Sequence, residues 1–190
     1  MPDKPVNSAP RLLAFHKPKG LLVTRRDERG RRTVYDALPG WVRELGWVPV
    51  GRLDADSRGL LLFTREGALV EALTRPGACE KAYEVWVRGV AGPDQVARAL
   101  RGVDTALGLL KLKACRVTGG AGAKTRLEVA LDEGKNRHIR RVFGALKDAR
   151  TGTSLKVLEL KRVRIGPLKL DLPSGAWRFL TREEEQVLPL

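Results

Sequence analysis

Residues 60–64, Leu-Leu-Leu-Phe-Thr, are a short continuous apolar run, the pattern expected of a buried strand. Directly ahead of it stand Arg52, Asp54, Asp56, Ser57 and Arg58. The chain therefore sets two carboxylates against the start of a segment that water does not reach. Such residues either shape a turn or do chemistry, since an ion beside apolar packing is costly unless something pairs with it. Spacing alone leaves both readings open, together with paired-carboxylate acid/base work. A calcium loop is excluded. Asp54, Asp56 and Gly59 take the first, third and sixth places of an EF-hand pattern, but Arg58 and Arg65 fall at the fifth and twelfth, where oxygen ligands belong.

A second stretch, Glu-Gly-Lys-Asn-Arg-His-Ile-Arg-Arg-Val-Phe-Gly-Ala-Leu at 133–146, reads as a helix over 136–147 with Asn136 as its N-cap. Ile139, Val142, Phe143 and Leu146 recur at i, i+3, i+4 and i+7, so one face is buried. Arg137 and Arg141 lie opposite that face and suit solvent or phosphate. Arg140 falls on its border, about 100° from Ile139 at the helical step of one residue. An inward arginine cannot shed its charge and needs a carboxylate. A carboxylate beside buried leucines needs a cation, which would also hold it ionised. The needs of Asp54 and Arg140 are complementary, though nothing local says that the two side chains meet.

The rest of the chain is strand-rich. Residues 11–24 read as two short strands around a Pro-Lys-Gly turn, 25–33 as a charged loop, 34–45 as short helix or loop, and Trp-Val-Pro-Val as a strand into the acidic motif. A short helix after Arg65 stops at Pro76 and Gly77. Residues 81–89 alternate, with Tyr83, Val85 and Val87 on one face and Glu84, Trp86 and Arg88 on the other. A helix over 92–102 precedes strands near 110–118 and 126–132, joined by a glycine-rich loop at 119–124 that lacks phosphate-loop spacing. Strands near 155–165 and 167–171 follow. The class is α+β.

A formal charge of +14 points to polyanions, nucleic acid above all. The two cysteines, Cys79 and Cys115, belong to no metal-spaced set and read as reduced intracellular thiols. Residues 1–10 read as a loose polar tail without a signal core, and no apolar run reaches membrane-spanning length. A cytoplasmic protein with no membrane association is expected.

Four ordered stretches resemble one family. Gly-Arg-Leu-Asp-Ala-Asp-Ser-Arg-Gly-Leu-Leu-Leu-Phe-Thr resembles the signature of the RsuA/RluB/RluE group of bacterial ribosomal RNA pseudouridine synthases. His-Lys-Pro-Lys-Gly (16–20), Lys-Ala-Tyr (81–83) and the helix at 133–146 with the segment after it resemble further motifs of the same group. The resemblance implies the pseudouridine synthase fold: a mixed, mostly antiparallel central sheet flanked by helices, in two lobes with an active-site cleft between them. It implies isomerisation of a uridine in ribosomal RNA, without cofactor or metal. Asp54 matches the essential aspartate, whose attack on the ribose, attack on the ring and assistance of elimination have each been argued. Tyr83 matches the tyrosine that stacks on the target base, and Arg140 the arginine paired with the aspartate. Leu160 matches the apolar residue on the other face of the base. Arg52 matches an arginine that fills the gap left by a flipped nucleotide. Ile139, Arg137 and Arg141 are expected among the substrate-binding residues.

The resemblance makes 11–190 one catalytic domain. Because about ten residues precede the first motif, it points to the RluE type, which lacks an N-terminal RNA-binding domain and acts on large-subunit 23S RNA. A monomer is expected. The rival classes are a non-catalytic ribosome-associated RNA binder, which has no need of Asp54, Tyr83 and Arg140 together, and a synthase acting on another RNA.

Overall fold

The computed structural model describes residues 10–189, so the expected tail, Pro10 excepted, lies outside the described residues. In chain order β1 is Leu12–Lys17, α1 Gly40–Glu44 after a 3-10 turn at Val34–Ala37, β2 Val48–Val50, β3 Arg58–Thr64 and α2 Gly67–Thr74. Then come β4 at Lys81–Arg88, α3 at Pro93–Arg101, β5 at Val103–Thr105, β6 at Gly108–Leu110, β7 at Ala114–Ala121 and β8 at Lys124–Leu131. The last elements are α4 at His138–Ala145, β9 at Lys156–Ile165, β10 at Leu168–Lys169, β11 at Trp177–Phe179 and α5 at Arg182–Gln186. The class is α+β, as expected. The chain divides into two compact units, one running to Cys79 and resuming at Arg164, the other spanning Glu80–Val163.

In the first unit β1 lies between β11 and β3, and β2 pairs along the other edge of β3, at Leu62–Thr64, all antiparallel. The register sets Leu13 opposite Phe63 and Phe15 opposite Leu61, with Phe179 and Trp177 across from the same two β1 residues. This face packs edge-on against aromatic rings, Tyr35 on Phe63 at 6.0 Å and Trp41 on Trp177 at 5.4 Å between centroids. The opposite face, with Leu12, Ala14, Leu60 and Leu62, packs into a cluster with Leu69 and Leu73 of α2 and with Leu168, Leu180 and Leu188. Both faces of β3 are covered, which is why its sequence is apolar without alternation. The second strand expected within 11–24 does not form. Pro18 has no N–H to give, and Gly20, at φ +87°, turns the chain so that its N–H donates to the carbonyl oxygen of Ala55 at 2.7 Å. Leu22 then makes a single bridge to Thr33.

The second unit is built on strands in the order β9, β4, β8, β7. Antiparallel register places Tyr83, Val85 and Val87 across from Val129, Leu127 and Thr125, and puts Glu84, Trp86 and Arg88 across from Glu128, Arg126 and Lys124. The two-faced alternation of 81–89 is therefore real. The glycine-rich segment is not a loop: β7 runs to Ala121, β8 starts at Lys124, and the turn is the pair Gly122–Ala123. Gly120 is required within the strand, because a Cβ there would stand 2.8 Å from the Lys124 carbonyl oxygen. The β5–β6 hairpin was not expected.

Helix α4 is shorter than 136–147, and its N-cap is Arg137, left-handed at φ +52°, in place of Asn136. Asn136 instead accepts from the Arg141 side chain, at its main-chain oxygen (3.0 Å) and Oδ1 (3.4 Å). The face carrying Ile139, Val142, Phe143 and Leu146 is buried, as the periodicity requires. Among the described residues no helix is long and apolar enough to cross a membrane.

Candidate active site

In the first unit the acidic motif is a β-turn, closed by the Ser57 N–H donating to the Asp54 carbonyl oxygen at 3.0 Å. Asp54 opens the turn and is partly exposed, while Asp56 is exposed at its tip and Arg52 is exposed before it. The motif is therefore a turn, as one of the two readings of its spacing has it. What holds the turn is Lys17, the last residue of β1, whose exposure is 0%. Its Nζ donates to the carbonyl oxygens of Ser57 at 2.8 Å, Asp54 at 3.1 Å and Pro18 at 3.1 Å, with that of Ala55 at 3.5 Å. Carbonyl dipoles take the place of water around a buried ammonium, and in return the ammonium fixes the main chain from Asp54 to Ser57. Sequence reasoning placed Lys17 in a turn motif and missed this function. The available signal was a cation closing an apolar strand immediately before a proline.

In the second unit Tyr83 lies on β4 at 9% exposure, Leu160 on β9 at 6%, and Ile139 on α4 at 3%. Ile139 is a core residue, and packing accounts for its place. Arg140 stands where the helical wheel put it, and its Nη1 donates to the Val157 carbonyl oxygen of β9 at 3.1 Å. The helix border is thereby tied to the strand that carries Leu160. Arg137 is exposed, and Arg141 is drawn back along its own helix toward Asn136.

Other reactive side chains here are muted. Burial pushes the Cys115 thiol up to about 11 and lowers the His138 imidazole, whose Nε2 lies 3.0 Å from the Lys111 carbonyl oxygen. Among the described residues no three His, Cys, Asp or Glu side chains stand where they could share a metal ion. In the first unit, the 25–33 loop is organised by Asp27. It accepts from Arg31 Nη2 at 2.7 Å and from the N–H groups of Arg29 and Arg31, and the Arg31 side chain holds its carboxyl down at about 2. Arg26, Arg29 and Arg32 are exposed around it.

A sequence model described as RNA pseudouridylate synthase matches residues 11–145, which include the Lys17 cage, Asp54, Tyr83 and Arg140. The chain belongs to this family. It is 40% identical over 181 residues to ribosomal large subunit pseudouridine synthase B of Vibrio cholerae, covering 94% of this chain and 54% of that protein. With the synthase B of Haemophilus influenzae the identity is 38%, covering 94% and 48%. The chain spans about half the length of the curated relatives it matches. Among solved structures, a pseudouridylate synthase crystal structure superposes with a TM-score of 0.76 at 25% identity, over 93% of this chain and 73% of that one. A complex titled as an H/ACA ribonucleoprotein bound to a substrate RNA shares the fold, with a TM-score of 0.59 at 20% identity over 84% and 48%.

Proposed function

We propose that this protein is an RNA pseudouridine synthase acting, as a monomer in the cytoplasm, on a uridine of large-subunit ribosomal RNA. The reaction breaks the bond between N1 of the base and C1′ of the ribose and makes one between C5 and C1′. C5 gives up its proton, N1 gains one, and the product has the composition of the substrate. Asp54 takes the role of reacting carboxylate, Tyr83 and Leu160 those of the residues that take the base, and Arg140 that of the catalytic cation. Arg52, Arg137 and Arg141 bind the RNA backbone or fill the space that the base leaves. The base must leave the helical stack before its glycosidic bond can be reached, and an aromatic–aliphatic sandwich suits its π faces.

The observation that carries this reading is the buried Lys17 ammonium, which fixes the turn that presents Asp54. A solvated polar turn needs no buried cation, whereas a carboxylate that must meet a ribose or a ring in one geometry does. The names of the relatives support the ribosomal substrate, and the +14 charge supports affinity for its phosphates.

The test is incubation of the protein with unmodified large-subunit ribosomal RNA, with pseudouridine mapped by carbodiimide labelling and primer extension. A new stop with the native protein that disappears with Asp54→Ala is expected. No new stop, or the same stop with Asp54→Ala, overturns the proposal.

A further inference from the structure

The end of β4 remote from Tyr83 is a rigid edge crowded with cations. Three segments are bonded together there. The Gly89 N–H donates to the Ala123 carbonyl oxygen at the β7–β8 turn at 2.7 Å, and the Ala149 N–H donates to the Val90 carbonyl oxygen at 3.0 Å. Thr125 Oγ1 donates to the Gly89 carbonyl oxygen at 2.8 Å and accepts from the Ala91 N–H at 3.1 Å. Asp148, woven through this edge, accepts from the N–H groups of Arg150, Thr151 and Val90 at 2.7–2.9 Å, so its charge is engaged inside the fold. A side chain on Gly89 would collide with that carboxylate at 2.6 Å, so the three segments meet at close range.

Outward from this frame stand Arg88, Lys124, Lys147, Arg150 and Lys156, all exposed. Arg88 and Lys124 are direct cross-strand partners, on the same sheet face as the half-buried Trp86 and its partner Arg126. Like charges directly opposite one another on a sheet are destabilising, so this arrangement is one that stability alone does not favour. Two carboxylates on that face, Glu84 and Glu128, sit farther along toward Tyr83, ion-paired with Arg126 and Arg116.

We propose that this edge is a second RNA-binding surface, which grips the sugar-phosphate backbone beyond the target nucleotide. The inference rests on the RNA-modifying function proposed above. The partner follows from charge complementarity: a fixed row of exposed cations, with its nearest acid turned inward, matches a polyanion. From Tyr83 to Arg88 is five residues of strand, roughly 17 Å. The surface therefore reads structure away from the reacting base, and its contribution is to affinity and to the choice of RNA.

The test measures binding separately from turnover. Native protein and the Lys124→Gln/Arg150→Gln variant, each also carrying Asp54→Ala so that no product forms, are titrated by filter binding with an unmodified large-subunit ribosomal RNA transcript over a range of salt. The variant is expected to bind about tenfold or more weakly, with the slope of log affinity against log salt reduced by about 1.5, the value for two lost phosphate contacts. With Asp54 intact, single-turnover pseudouridine formation at saturating RNA should be unchanged. An unaltered salt slope overturns the inference. So does an equal loss from a control, Lys169→Gln, on β10 of the first unit, since that would be a bulk charge effect. Native protein that binds the transcript without modifying it would sink the catalytic proposal and leave this one standing on its own measurement.

Discussion

The buried ammonium of Lys17 donates a 3.1 Å hydrogen bond to the main-chain carbonyl oxygen of Asp54, 37 residues later in the chain. One strand end thus fixes the loop on which the proposed chemistry depends. Lys17→Met keeps most of the volume and removes the donors, so the carbonyl oxygens of Pro18, Asp54 and Ser57 each lose one hydrogen bond. The expected cost is about 1–3 kcal/mol, read from the urea midpoint. If the cage positions Asp54, kcat falls well beyond any change in KM. A stable methionine variant with native turnover would show that the turn holds itself.

Arg140 gives a second separation of roles. Arg140→Leu is expected to bind RNA within a few-fold of the native protein while turnover falls on the order of 10²-fold or more, the scale of losing a preorganised electrostatic group. Its bond to the Val157 carbonyl oxygen means that folding must be checked by circular dichroism and melting. Equal loss of binding and turnover would make Arg140 an RNA contact.

What the sequence disclosed follows from how local its causes are. The apolar run of β3 and the i, i+3, i+4, i+7 face of α4 state their burial directly, because packing demands apolar residues at those positions. The start of α4 was misplaced because Arg137 adopts a left-handed conformation that Asn is better known for, while Asn136 serves the Arg141 side chain. Residues 119–124 read as a loop because glycine is depleted in strands, yet the approach of the Lys124 carbonyl oxygen demands Gly120 there. The Lys17 cage was invisible to any window, since all its acceptors but Pro18 stand 37 to 40 residues away.

Gly120 supplies a test of that packing. Gly120→Ala sets a methyl group 2.8 Å from a backbone oxygen that cannot swing aside, so the β7–β8 hairpin must open. A loss of roughly 1–3 kcal/mol is expected, as for overpacking elsewhere. Gly134→Ala, with nothing within 4 Å of the new carbon, is the control and should stay within about 0.5 kcal/mol of the native protein. Equal effects at both positions would show that the hairpin yields freely.

Asp148 makes the stability of the cationic edge depend on pH in a definite sense. The N–H groups of Thr151, Arg150 and Val90 hold its carboxyl below the ordinary value of 3.8 in the folded protein. A carboxyl depressed on folding contributes stability that is fully present above its unfolded value and is lost as pH falls through the folded one. Asp148→Asn keeps the shape and removes the charge, so the variant should be less stable than the native protein at about pH 7. The gap should narrow as the pH falls through the depressed folded value and the native carboxyl takes up its proton. Urea midpoints of the two proteins across that range measure it. Equal midpoints at about pH 7, or a gap that does not change as the pH falls, would mean that the charge of Asp148 does nothing to hold the 147–153 loop against β4.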